Sequence, residues 1–422
     1  MAMLPAFIVF QWLLGLFSAG IIAGGIYSLW EWYQRVWIYN SALERYVFNP
    51  DWGFNGQTAL LALGLGLLIW SIAGRLILQV VIGSTAKGRS GADKPNDVLP
   101  ATTQRLMRPD GSELHVELYG SPESPPIVLT HGWSLNTSEW NYLKRDLSDR
   151  FRLIAWDLPG LGRSTQPKNH DYALENLAGD LEAVLDLAGG RPATLMGHSI
   201  GGMIILTFCR LFPKALGTRV KGLILVHTTY TNPVRTTIMA GFFTAIERVV
   251  LVPLLHLMIW LFPLVWLMNW MGYFNGTAHL ATMLTGFAGK GTWDQIELAT
   301  RPQPHDSPAV LARGMLGMLK YDATKTLHKI HIPTLVISGD RDPLCKPQAS
   351  EFIQHNVPSA QLSPLVPAKH MGLIEQHTRF EQLISDFVYS SLQSQKDDAT
   401  MRPHAPSAIE VVPPPSVESS RV

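Results

Sequence analysis

Met1 to Trp30 carries no Asp, Glu, Lys or Arg side chain, and a second charge-free run covers Trp52 to Gly74, resuming after Arg75 to about Ser84. In hydrocarbon every backbone N–H and C=O must be paired within the protein, so runs of this kind fold as helices. Each is long enough for a helix of about 20 residues across a core of about 30 Å. Trp12, Trp30, Trp32, Tyr33 and Trp70 belong to the types that favour the headgroup level. Small residues recur four apart, at Gly15, Ala19 and Ala23, at Gly20 and Gly24, and at Ala62 and Gly66. Such spacing lets two helix backbones approach closely. A cleaved signal peptide would need a basic start, and no Lys or Arg precedes Arg35. The expectation for residues 1–84 is therefore a transmembrane helical hairpin, a multi-pass anchor of two spans. Lys87, Arg89 and Lys94 follow the second run, while Arg35 and Arg45 in the short loop stand against Glu31, Glu44 and Asp51. That basic bias places the bulk of the chain on the cytoplasmic side.

The rest of the chain is organised differently. Residues 85–100 read as a polar linker, and 394–422, rich in Pro and Ser, as a disordered tail. Between them, in 101–393, "TTQRLMR" and "ELHVELYG" flank "PDGS" and predict a hairpin. Short apolar runs follow, such as "PIVLTHG", "FRLIAWD", "ATLMGHS", "GLILVHT" and "PTLVISGD", separated by helical patterns. Continuous apolar strands alternating with helices predict an α/β domain whose mostly parallel sheet is covered on both faces. One insertion, about 230–321, interrupts the alternation. The formal net charge is +1 and no basic stripe is present, which argues against nucleic acid. Cys209 and Cys345 stand in no metal or redox spacing. No metal or organic cofactor is expected, and nothing points to an oligomeric state.

The chemistry concentrates in "ATLMGHSIGGM", where Gly197-His198-Ser199-Ile200-Gly201 is G-x-S-x-G between an apolar strand and an apolar helix. Such a turn holds a serine hydroxyl out at the top of a sheet. Upstream, "VLTHGWS" ends a strand with His131-Gly132-Trp133; downstream, "LVISGDRDPLC" supplies Asp340 and Asp342, and "LVPAKHMGLIE" supplies His370. Serine, acid, histidine is one known chain order for a catalytic triad. Together with "HGWSLNTSEWNYLKRDLSDRFRLIAWDLPGLGRST" and "KHMGLIEQH", these motifs resemble the esterase, lipase and haloperoxidase-like members of the α/β-hydrolase superfamily, from about Thr102 to Leu392. The resemblance implies Ser199 as nucleophile, His370 as base, Asp342 as the acid that orients it, and the N–H groups of Trp133 and Ile200 as an oxyanion hole. Asp340 stays open as an alternative acid. Asp157 is expected to fix a turn, His131 to brace its loop, and His198 to be structural. A serine at the elbow implies acyl transfer through an acyl-enzyme. The same triad also serves cofactor-free haloperoxidases, perhydrolases and C–C bond hydrolases, and a non-catalytic membrane receptor or scaffold is a rival of another class.

Inside the insertion, Val249 to Phe274 is again free of charge. A single crossing there would leave Ser199 on one side of the bilayer and Asp342 with His370 on the other, about 30 Å apart. A triad requires contacts of about 2.6–3.2 Å. The run is therefore expected to form an apolar cap over the site, divided by Pro253 and Pro263, that touches lipid without crossing; a buried hairpin that never meets lipid stays open. The expected protein is a membrane-anchored serine hydrolase acting on a carboxylic ester, monoacylglycerol- or lysophospholipid-like, with a fragment from residue 85 retaining its fold.

Overall fold

The computed structural model describes residues 5–49, 54–85, 95, 98–289 and 291–401. Most of the expected linker, and the tail from 402, lie outside the described residues. The tail's expected first residues do not: the last helix, His377–Met401, runs straight through Ser394. "SQKDDATM" contains no helix breaker, and the first proline, Pro403, comes only after it.

Eight strands form one sheet. In chain order they are β1 (Thr102–Met107), β2 (Glu113–Tyr119), β3 (Pro126–Thr130), β4 (Arg152–Trp156), β5 (Ala193–His198), β6 (Val220–Val226), β7 (Thr334–Gly339) and β8 (Ala360–Leu365). Their spatial order is β8-β7-β6-β5-β3-β4-β2-β1. β1 and β2 form the expected antiparallel hairpin, β2 pairs antiparallel with β4, and every other pairing is parallel. Alternate residues of a strand point to opposite faces. Thus Ile127 and Leu129 join one core with Leu143, Leu147, Phe380 and Ile384, while Val128 joins the other with Leu181 and Ile204. Chain order reverses at β5, between β3 and β6, and the crevice at the carboxyl ends of such strands is where α/β sheets bind ligands.

Before the sheet stand two long helices, α1 (Pro5–Val36) and α2 (Phe54–Thr85), joined through a two-stranded ribbon, Trp37–Asn40 with Arg45–Phe48. They pack on each other, but the close approach is not at the expected glycines. A Cβ on Gly64 would lie 2.7 Å from Leu29 and 3.1 Å from the Gly25 carbonyl, whereas Gly20 and Gly66 face open space. Among the described residues three helices are long and apolar enough to cross a membrane, Trp12–Val36, Thr58–Gly83 and Ala240–Trp260.

The third of these belongs to the insertion. Val249–Phe274 does not form one rod. A helix over Val252–Trp260 ends at Leu261 (φ −92°, ψ 21°), and a second, Phe262–Phe274, starts with Pro263 in its first turn, where the missing N–H costs nothing. At 1.5 Å per residue the two rise about 14 and 20 Å. Both ends of the insertion are tied together, since Thr231 bridges Asp322 and β6 pairs directly with β7.

The two long helices and the insertion are packed against each other. Helix Phe262–Phe274 lies on both α1 and α2. A Cβ on Gly15 would meet Met268 at 2.2 Å, and one on Gly74 would meet the Asn275 carbonyl at 2.5 Å. Polar groups seal the contact. Ser18 Oγ and Thr277 Oγ1 are 3.3 Å apart, and Arg75 donates to the Tyr273 hydroxyl (2.9 Å) and to Glu297 (3.2 Å). An ionisable side chain on an apolar helix needs such partners. A fragment of residues 85–422 is therefore expected to keep its sheet but to lose support under the cap. Chymotrypsin should cut it between 249 and 276 about tenfold faster than full-length protein in the same detergent, the effect of losing about 1.4 kcal/mol of local stability. Equal cleavage rates would show that the hairpin does not support the cap.

Candidate active site

β5 delivers Ser199 at its carboxyl end, and the helix Ile200–Leu211 starts at the next residue. Ser199 has φ 54° and ψ −116°, a left-handed conformation that costs a non-glycine residue about 1–3 kcal/mol. Its surroundings enforce it. Ser199 N–H donates to the Val226 carbonyl (2.9 Å), and its own carbonyl accepts from Thr228 Oγ1 (2.6 Å) and Gly202 N–H (3.0 Å). The flanking glycines admit no side chain: a Cβ on Gly197 would fall 2.3 Å from Gly201, and one on Gly201 would fall 2.2 Å from the Thr130 carbonyl.

The loop after β3 lies beside this turn. Trp133 is fully buried, its indole donating to the Leu311 carbonyl (3.1 Å) and its ring pressed on Gly314 of the cap's last helix, Pro308–Met318. Among the described residues, neither Trp133 N–H nor Ile200 N–H donates to a protein acceptor. His131 donates from Nδ1 to the Gly132 carbonyl (2.7 Å) and accepts Leu158 N–H at Nε2 (2.9 Å), so it braces the loop. Asp157 accepts from Thr137 N–H (2.7 Å) and Arg163 N–H (2.8 Å) and likewise fixes a turn.

β7 and β8 supply the acid and the histidine. His370 Nδ1 donates to Asp342 Oδ2 (2.8 Å), while Asp342 Oδ1 accepts the N–H groups of Leu344 (2.8 Å) and Cys345 (3.0 Å). Burial opposes ionisation of Asp342, but His370 and His227 outweigh it and hold the carboxyl well below the usual range. His370 is held below the usual imidazole range by burial, against the pull of Asp342, so it rests neutral at neutral pH. Its buried Nε2 has no hydrogen-bond partner among the described residues. Asp340 does not meet His370; it accepts Ala368 N–H (2.7 Å) and so shapes the loop before the histidine.

Two buried groups were not singled out in the sequence. His227 follows β6, has φ 44°, and places Nδ1 3.5 Å from Asp342 Oδ2. Burial pushes its pKa down to about 4, leaving it neutral. Glu139 accepts Gly132 N–H (2.9 Å) through Oε2 and pairs through Oε1 with His198 Nδ1. Burial opposes its ionisation, yet His198 and the Gly132 N–H hold its pKa below the usual range. In the sequence Glu139 reads as an ordinary acid at a helix start, and only its place directly before Trp140 in a loop that returns to the core could have singled it out.

Elsewhere, Asp146, His377 and Glu381 bring ligand-type atoms within 4.8 Å of one another. Both oxygens of Asp146 are already taken by Arg145 at 2.6 Å, which neutralises that carboxylate without an ion.

Comparison with known proteins agrees with this fold. The family model described as alpha/beta hydrolase fold matches residues 125–376. Pimeloyl-[acyl-carrier protein] methyl ester esterase of Nitrosomonas europaea is 27% identical over 283 residues, 65% of this chain and 98% of its own length. The 3-oxoadipate enol-lactonase 1 of Acinetobacter baylyi is 26% identical over 66% of this chain and 94% of its own. Epoxide hydrolase 1 of Caenorhabditis elegans is 29% identical over 139 residues, 32% of this chain and only 34% of its own length. Among solved structures, a thermophilic esterase from Thermogutta terrifontis shares the fold with a TM-score of 0.54 and 24% identity, over 69% of this chain and 99% of its own. With the elbow, the sheet order and a family match over more than half its length in agreement, the chain belongs to the α/β-hydrolase family.

Proposed function

We propose that the protein is a membrane-anchored serine hydrolase that cleaves the carboxylic ester of a lipid through an acyl-enzyme on Ser199. The observation that carries this reading is the buried His370–Asp342 pair, with His370 Nε2 unpartnered, on strand ends beside the strained Ser199 turn. In this reading His370 Nε2 takes the Ser199 proton as Oγ attacks the ester carbonyl. The N–H groups of Trp133 and Ile200 receive the oxyanion. His370 then passes the proton to the leaving alcohol, and water, activated in the same way, releases the acid. The named esterase and enol-lactonase relatives support ester cleavage.

A lipid substrate is argued from the cap. Val249, Trp260, Phe262, Leu264, Trp266 and Leu267 are exposed, on a cap that rests on two helices of membrane-spanning length. Such a patch is expected to sit in the interface without crossing it, holding the site on one side of the bilayer. A fluorophosphonate probe should label wild-type protein and not Ser199→Ala. In mixed micelles, long-chain monoacylglycerols and lysophospholipids should give a higher kcat/KM than short p-nitrophenyl esters. Absence of labelling would favour a non-catalytic scaffold; labelling with a preference for short soluble esters would remove the lipid part only.

A further inference from the structure

We infer that Glu139 and His198 form a positioning bridge that holds the proposed oxyanion loop, nucleophile turn and histidine loop in one register. The inference rests on the proposed function only for the roles of those three segments. Each contact of the pair falls one residue from a reacting group or on it. Glu139 Oε2 accepts the N–H of Gly132, the residue before Trp133 (2.9 Å). Glu139 Oε1 faces Nδ1 of His198, the residue before Ser199. His198 Nε2 donates to the backbone carbonyl of His370 itself (3.1 Å).

The hydrogen-bond logic leaves little freedom. A carbonyl only accepts, so His198 Nε2 carries a proton, and Nδ1 meets the Glu139 carboxylate with one further proton held between the two atoms. Both side chains are sealed from solvent, at 1% and 0% exposed, so neither can trade its partner for water. The fit is also steric, since a Cβ on Gly132 would fall 2.7 Å from His198 Nδ1. Both ring nitrogens of His198 are engaged elsewhere, at the His370 carbonyl and the Glu139 carboxylate, which leaves neither for the Ser199 hydroxyl. The three segments come from the ends of β3, β5 and β8, and β8 is not adjacent to either of the others. The pair thus gives the histidine loop a link to the oxyanion loop and the elbow beyond the sheet pairing.

Glu139→Ala cuts both ends of the bridge. In full-length protein in detergent, kcat per site titrated with fluorophosphonate should fall about 10–100-fold, as expected when reacting groups shift by about 1 Å, with KM within about threefold. Glu139→Gln should recover activity to within about fivefold, because its amide oxygen still accepts Gly132 N–H and its NH₂ can donate to Nδ1. A merely structural role would lower Tm and leave kcat per active site unchanged, which would overturn the inference, as would Glu139→Gln being as damaged as Glu139→Ala. Hydrogen exchange gives a readout independent of activity: the amides of 132–134 and 368–372 should both exchange faster in Glu139→Ala and stay protected in Glu139→Gln. Faster exchange at 132–134 alone would show no bridge to the histidine loop. If Glu139→Ala does not fold, His198→Asn must raise exchange at 368–372, or the bridge is refuted. A wild-type protein that hydrolyses no ester but shows this coupled exchange would refute the proposed function and leave the bridge standing.

Discussion

Replacing Ser199 by alanine is expected to lower ester turnover by a factor on the order of 10⁶, and His370→Ala by about the same amount, with the double variant no worse than either. The reason is that nucleophile and base act as one unit: without the hydroxyl there is no acyl-enzyme, and without Nε2 the hydroxyl is not activated. The Ser199 backbone is positioned by its own N–H and carbonyl, which Ser199→Ala retains, so Tm should stay close to wild type. Wild-type kcat/KM should rise with pH as His370 loses its proton. Burial lowers the His370 pKa, so the midpoint of that rise should lie below the ordinary imidazole value of about 6.5. Steady-state kinetics of a purified, folded Ser199→Ala within tenfold of wild type would sink the serine assignment.

The residues of the candidate site were legible because each is announced by a local turn. G-x-S-x-G demands a strand-to-helix reversal, and the Gly197 and Gly201 contacts show the crowding behind that demand. "GDRD" and "KHMG" end strands whose apolar runs are equally local. Where two acids stood two residues apart, residue type left both open and only the resemblance favoured Asp342; in the structure Asp340 instead accepts Ala368 N–H. Glu139 and His198 are farther from view still. Their pairing joins residues well separated along the chain, and a charged residue at a helix start reads as solvated.

The two long helices show the same limit. Composition made α1 and α2 legible as helices, but not their contact with the cap. Gly15, grouped with a small-residue stripe for helix pairing, instead makes room for Met268, and the α1–α2 crossing uses Gly25 and Gly64. Arg75, which only interrupted an apolar run, reaches Tyr273 and Glu297, 198 and 222 positions away. Pro253 and Pro263 were informative because proline acts locally. The break itself falls at Leu261, just ahead of Pro263, and turns one charge-free run into two helices.

Asp342→Asn is expected to cost about 10⁴ in kcat, and Asp340→Asn less than about tenfold. Asp342 accepts a hydrogen bond from His370 Nδ1–H, which leaves Nε2 bare to accept a proton from Ser199. An asparagine NH₂ at that place would donate to Nδ1 and favour the tautomer with the proton on Nε2, where it blocks the base. Asn at 342 could still accept from Leu344 and Cys345 through its oxygen, so the loop should hold and the loss should be one of chemistry. The charge also matters for pH. Asp342 raises the His370 pKa against burial, so its removal should move the rising limb of kcat/KM to lower pH while the plateau falls. Asp340→Asn keeps an oxygen for Ala368 N–H and should leave the limb in place. Kinetic pH profiles of both variants decide the matter. Should Asp340→Asn prove the more damaging in folded protein, or should the limb of Asp342→Asn move to higher pH, the orienting role belongs to a group other than Asp342.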